Sequence, residues 1–231
     1  FDTRGDCQLT ENYPFTNSFT GTIRKTADNN ADQAQFFNNN GDTTGGVWDN
    51  EGTIEVLVGT IRVTTTASGG SFKDVSSPQV VGTELTGGTW IANPTGANNA
   101  IIDLEPAEPN GIVTIGTNAT VSLSGSTGRF VQLTNFLAQI DGSLTLNSGQ
   151  VLDAANDVTV SSTGTLAGNG GTIIGNITVQ SGGTLSPGDG AADEGTLTVT
   201  GDLTLEGDVN IDISGDHLAT GQDSISVSGA V

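Results

Sequence analysis

From about residue 50 onward, hydrophobic residues fall at every second position in short bursts, and each burst ends at Gly, Asn, Asp or Ser. GTIEVLVGTIRVTT, GIVTIGTNATVSLSG, GSLTLNSGQ, NDVTVSSTGTLAG, GTIIGNITVQSGG and GTLTVTGDLTLEGDVNIDISG all alternate Ile, Val or Leu with Thr, Ser, Asp or Glu. This is the pattern of a strand with one buried and one wet face, so the chain predicts strands of about four to six residues. The gaps between them are short: Leu197 and Val199 precede Gly201, Leu203 and Leu205 precede Gly207, and Val209, Ile211 and Ile213 follow. Gaps this short leave little room to reverse direction each time. A chain that turns a corner and climbs, stacking each strand on the one a turn below, is a parallel β-solenoid.

Glycine supplies the corners because it adopts backbone angles other residues resist. Within 164–188 these are Gly164, Gly168, Gly170, Gly171, Gly175, Gly182, Gly183 and Gly188. Leu166, Ile174, Ile177, Val179 and Leu185 are expected to point into the core, with Ile173, which breaks the alternation, at a bend. Over 64–111 the register is less regular, and Pro78, Pro94, Pro106 and Pro109 predict protruding loops that present a contact surface. Residues 128–142 carry a helical period at Phe130, Leu133, Leu137 and Ile140, but Gly-bounded alternation on both sides favours strands there.

Residues 1–50 differ, holding five of the eight Phe, the only Tyr and half of the basic residues. They are expected to form an aromatic-rich N-terminal cap and first coil, entering the solenoid near Val47 and Trp48; residues 51–231 form the solenoid itself. The strand-like run up to Val231 has no polar finish, which implies that it is continued by further chain or covered by another subunit.

Charge narrows the partners. A formal charge of −20 with 26 acidic residues argues against nucleic acid and anionic lipid. No segment approaches the roughly 20 apolar residues of a membrane-spanning helix, so no membrane insertion of this segment is expected. Strong acidity on a Gly- and Thr-rich chain suits an extracellular protein. The single cysteine, Cys7, cannot form an internal disulfide.

Chemistry is sparse. His217 is the only histidine and lies in a polar segment, where a surface role is favoured over a triad base. Asp103 with Glu105, or Asp189 with Asp193 and Glu194, are the carboxylate groups that could serve polysaccharide cleavage. A chain this acidic produces such pairs by chance. Lys25, Arg62, Lys73 and Arg129 are too scattered to nominate an elimination base. No catalytic residue and no required cofactor are therefore assigned. Asp189, Asp193 and Glu194, in the Gly-bounded loop PGDGAADEG, are the candidate calcium ligands, hard oxygens on a turn, although a solvated acidic loop is the favoured reading. The RGD of Arg4–Asp6 is a tripeptide that recurs by chance. Threonine pairs such as Thr198 with Thr200, and Thr64 with Thr66, lack the constant phase in every coil that an ice-binding face needs.

The stretch from Gly164 to Gly188 resembles the autotransporter-associated β-strand repeat, or passenger-associated transport repeat, whose pattern is roughly G-x-L-x-G-x-G-x-x-x-x-G-x-[IV]-x-V-x-x-G-G-x-L-x-P-G. The matching residues are Gly164, Leu166, Gly168, Gly170, Gly175, Ile177, Val179, Gly182, Gly183, Leu185, Pro187 and Gly188. The segments after it, through DSISVSG at Asp223 to Gly229, look like the continuation usual in such passengers. NEGTIEVLVGTIRV and LTGGTWIA are similar to repeats of very large bacterial surface proteins. The resemblance implies a secreted or surface-displayed bacterial β-helix whose repeat serves folding and export rather than catalysis.

These readings converge on an all-β, right-handed parallel β-solenoid (β-helix) with an N-terminal cap, at the bacterial surface or outside the cell. The expected function is that of a non-catalytic structural or adhesive module of a larger surface protein. Its expected partners are cell-surface or matrix components, polysaccharide among them. The alternatives are a self-assembling fibre subunit, joined end to end, and a carbohydrate-active β-helix.

Overall fold

The computed structural model describes residues 2–3, 7–11, 15–26, 33–38, 47–65, 71–72, 75–76, 83–104, 111–154, 157–188, 194–213 and 222–231. The chain is all-β, built from parallel sheets of many strands, an arrangement compatible with a β-solenoid. Among the described residues the one helical element is the 3-10 turn Val131–Leu133, and no helix is long and apolar enough to cross a membrane.

Apart from Val75–Ser76, which pairs antiparallel with Glu84 and Leu85 of the strand that follows it, strands consecutive in sequence lie in different ladders, and the chain visits three ladders in turn. The first runs through Asp2–Thr3, Thr22–Thr26 and the start of Thr53–Thr65. It continues through the ends of Thr83–Ala92 and Ile112–Ser124 into Ser143–Asn147, Thr165–Gly168, Thr184–Pro187 and Asp208–Val209. The second takes Cys7–Glu11, Gln33–Asn38, the end of Thr53–Thr65, Ala100–Leu104 and Gly128–Phe130. Further along the chain its place is taken by a separate sheet of Val151–Asp153, Gly171–Ile174, Thr196–Thr200 and Ser224–Val227. The third comprises 83–85, 112–115, Gln139–Ile140, Val158–Val160, Ile177–Val179 and Leu203–Leu205, and earlier in the chain its place is taken by a separate sheet of Phe15–Asn17, Val47–Asn50 and Ser71–Phe72. The pairings within these ladders are all parallel. Parallel strands cannot be joined by a two-residue hairpin, so the short loops must carry the chain to another ladder before it returns one tier on.

This in-register return stacks like on like. Ile23, Ile54, Trp90, Val121, Leu144, Leu166 and Leu185 form one inward column, each opposite the next and none more than 2% exposed. Leu85, Ile115, Ile140, Val160 and Val179 form another, also buried. Each such side chain contributes about 1.5–3 kcal/mol of hydrophobic stabilisation, so the columns are the main source of cohesion between tiers. Trp90 satisfies its indole by donating to the Gly87 carbonyl at 2.8 Å, and its ring packs on Phe130 at 5.6 Å between centroids.

Leu166, Ile177, Val179 and Leu185 all face inward as expected. The assignment of Ile173 to a bend and Ile174 to the core is reversed. Gly171–Ile174 is a strand in which Ile173 lies opposite Leu152 and Val199 and is fully buried, while Ile174 is 37% exposed. The alternation restarts at the corner before Gly171, because each strand takes its phase from the strand below it rather than from the strand before it.

Glycine serves two needs. Gly170 has φ +80°, the left-handed backbone expected of a corner. At Gly164, by contrast, a Cβ would collide with the Ile140 carbonyl oxygen of the neighbouring tier, so close stacking requires the missing side chain.

Parallel pairing is already present within residues 1–50, starting at Asp2 opposite Arg24. In 64–111, Thr83–Ala92 and Ala100–Leu104 join the ladders and Pro94 lies in the turn between them, while Pro78, Pro106 and Pro109 lie outside the described residues. Over 128–142 the chain forms strand Gly128–Phe130, the 3-10 turn and strand Gln139–Ile140, and buries all four of Phe130, Leu133, Leu137 and Ile140.

Candidate ligand groove at the glycine corner

The corner between the third and first ladders is held by backbone bonds from tier to tier. The amide of Thr53 donates to Gly21, that of Thr89 to Gly52, that of Thr165 to Gly142 and that of Thr184 to Gly164, all at 2.8–2.9 Å. Glycine recurs on the accepting side because the turns stack too closely for a Cβ; at Gly52 one would strike the carbonyls of Gly21 and Ser18. Under the first two turns Asn17 Nδ2 donates to Asn50 Oδ1 at 2.7 Å and to the Thr53 carbonyl at 3.1 Å, tying adjacent tiers through side chains.

Outside this corner lies an open groove of about 450 Å³. Four successive turns build it. The first contributes Phe19, 84% exposed on the turn closed by the Gly21 amide to the Ser18 carbonyl. The second contributes Asp49, buried at 8%, and exposed Glu51, whose amide donates to the Asn17 carbonyl. The backbone of Gly87 and Gly88 forms the third part, and exposed Asn118 the fourth. At Gly88, with φ +79°, a Cβ would run into Asn50, so glycine keeps this part of the wall low. The lining residues include no lysine, arginine, histidine or cysteine. The groove therefore combines one bare aromatic ring with carboxylate and amide acceptors and carries acidic charge only.

The carboxylates singled out in the sequence lie elsewhere. Asp103 is in Ala100–Leu104, opposite Arg62, and its Oδ2 accepts from Arg62 Nε at 2.9 Å. Its Oδ1 accepts from the buried amide of Gln132 at 2.8 Å, and Gln132 Oε1 takes the Leu104 amide at 2.9 Å. Both oxygens are thus engaged in holding strands together. Its suggested companion Glu105 lies outside the described residues. Of the candidate calcium ligands, Asp189 and Asp193 lie outside them and Glu194 is exposed. Among the described residues no three His, Cys, Asp or Glu side chains gather as a metal site.

Arg4, Gly5, Asp6, Lys73 and His217 also lie outside the described residues, and Cys7 falls in strand Cys7–Glu11. Lys25 is buried, Arg62 is in the Asp103 cluster, and Arg129 is exposed. The groove was not singled out from the sequence. The available signal was Phe19 itself, an aromatic residue inside the turn sequence SFTG.

The chain matches no protein-family model, and it shows no significant similarity to a curated protein or to a solved structure.

Proposed function

We propose that this chain is a structural and adhesive module of an extracellular bacterial surface protein, a right-handed β-solenoid whose first residues cap the stack and whose corners and loops meet the partner. The first ladder carries this reading: it passes from Asp2–Thr3 to Asp208–Val209 through parallel pairings alone. Such continuous strand bonding suits a stiff support that holds a surface away from its anchor. The repeat pattern from Gly164 to Gly188 and the charge of −20 support an exported, surface-displayed chain. The test combines small-angle scattering with adhesion: an elongated, rigid particle that retains cells or matrix components when immobilised is the expected result. A compact particle, or one with no retention of either, overturns the reading.

A second reading is end-to-end association. Among the described residues Leu203–Leu205 and Ser224–Val227 each pair with one strand, the Leu203 amide donating in addition to the Ala230 carbonyl at 2.8 Å, and exposed Leu205 and Ile213 lie in this part of the chain. An open edge beside exposed apolar side chains is a template for another strand. Sedimentation should then show species that lengthen with protein concentration; a single species over the whole concentration range excludes it.

A further inference from the structure

We propose that the groove at the glycine corner is a binding site for a neutral polysaccharide chain, with Phe19 as the stacking platform. The inference builds on the adhesive reading and names the ligand class for it. Exposed single hydrophobic side chains are common, but a phenyl ring 84% exposed at the mouth of a concave, polar-lined groove has a specific chemical use. A pyranose ring has apolar C–H faces that pack on an aromatic plane and an equator of hydroxyl donors. Carboxylates are acceptors with about four lone-pair sites each, so Asp49 and Glu51 can take sugar hydroxyls while keeping bonds within the protein. Asn118 adds a donor and an acceptor, and the bare backbone at Gly87 and Gly88 allows close approach.

Charge selects among ligands. Two carboxylates with no cation among the lining residues repel sulfated, phosphorylated or uronate polymers, which leaves neutral sugars as the favoured class. Length selects too. The groove crosses four turns stacked at about 4.8 Å, a span suited to several linked sugars and too long for one. A basic peptide is the rival occupant, attracted by the carboxylates and able to stack its cations on the ring, but the amide of Asn118 and the bare backbone at Gly87 and Gly88 suit the hydroxyl groups of a sugar better.

Affinity electrophoresis of the full chain tests this, using soluble glucan, mannan, polygalacturonate and polylysine as separate probes. Retardation by a neutral glucan or mannan, with none by polygalacturonate, is the expected result. Phe19→Ala should weaken it at least tenfold, Phe19→Trp should retain it, and Glu51→Gln should weaken it with an unchanged circular dichroism spectrum. Leu205→Ser, remote from the groove, should bind as the parent does. Equal binding by Phe19→Ala, preference for polygalacturonate, or retardation by polylysine alone overturns the proposal, as does the absence of retardation by either neutral polymer. If the immobilised chain still retains cells when neutral polymers fail to bind, the groove inference falls and the adhesive reading stands; binding of glucan without cell retention gives the converse.

Discussion

Arg62 and Asp103 face each other across adjacent parallel strands, with Nε and Nη2 of the guanidinium both 2.9 Å from Oδ2. The second carboxylate oxygen is held by Gln132, so one side chain links the strands Thr53–Thr65 and Ala100–Leu104 to the 3-10 turn. Asp103→Ala strands the buried Gln132 amide and should cost about 1–3 kcal/mol of stability. Arg62→Ala should cost less, because the Arg62 side chain is 35% exposed against 12% for Asp103 and water replaces part of what is lost. Urea unfolding of the two variants checks this order; equal or reversed costs would mean that the cluster does not hold the strands. Glucan binding at the groove should be unchanged in both.

Leu166 is fully buried between Leu144 below and Leu185 above. Leu166→Ala should cost about 2–5 kcal/mol, the range for a cavity in a column whose walls are fixed by strand pairing. A melting curve indistinguishable from the parent would show that the columns do not carry the stability.

Two glycines separate backbone angle from close approach. Gly149 has φ +78° with open space around it, so Gly149→Ala should cost about 1–2 kcal/mol, the penalty of a left-handed alanine. Gly164→Ala places a methyl group against the Ile140 carbonyl of the next tier and should cost more, since backbone in two tiers must move. Thermal unfolding of the pair measures the order directly.

Amide exchange should grade along the stack. Strands such as Ser143–Asn147 and Thr165–Gly168 have strand partners on both sides, whereas among the described residues Leu203–Leu205 and Ser224–Val227 each have one, with a single further bond from the Leu203 amide to Ala230. Their outward-facing amides should exchange faster, by a factor that grows with distance from the middle tiers. Uniform protection would indicate a single cooperative unit.

The inward positions Leu166, Ile177, Val179 and Leu185 were legible because alternation is a property of one strand and its own pleat. Ile173 was not: its phase follows Leu152 and Val199, which are distant in sequence, and Thr172–Gly175 contains two adjacent isoleucines with equal claims. Of the glycines in 164–188 expected at corners, Gly168 closes one strand and Gly171 opens the next, and only the stacked tiers distinguish Gly170, required by its angle, from Gly164, required by its neighbour. Asp103 stood out as an acid near another acid; its pairing with Arg62 and Gln132 depends on which strands adjoin.

From its residues alone this chain declared short strands, one-sided burial, corners rich in glycine and strong acidity, because each of these depends on neighbours within a few positions. Which strand lies on which, which isoleucine turns inward, and how Phe19, Glu51 and Asn118 come to border one groove were decided by the tertiary structure. The physical reason is register: parallel pairing joins residues a full tier apart, and it sets every contact between turns that the local sequence leaves unpaired.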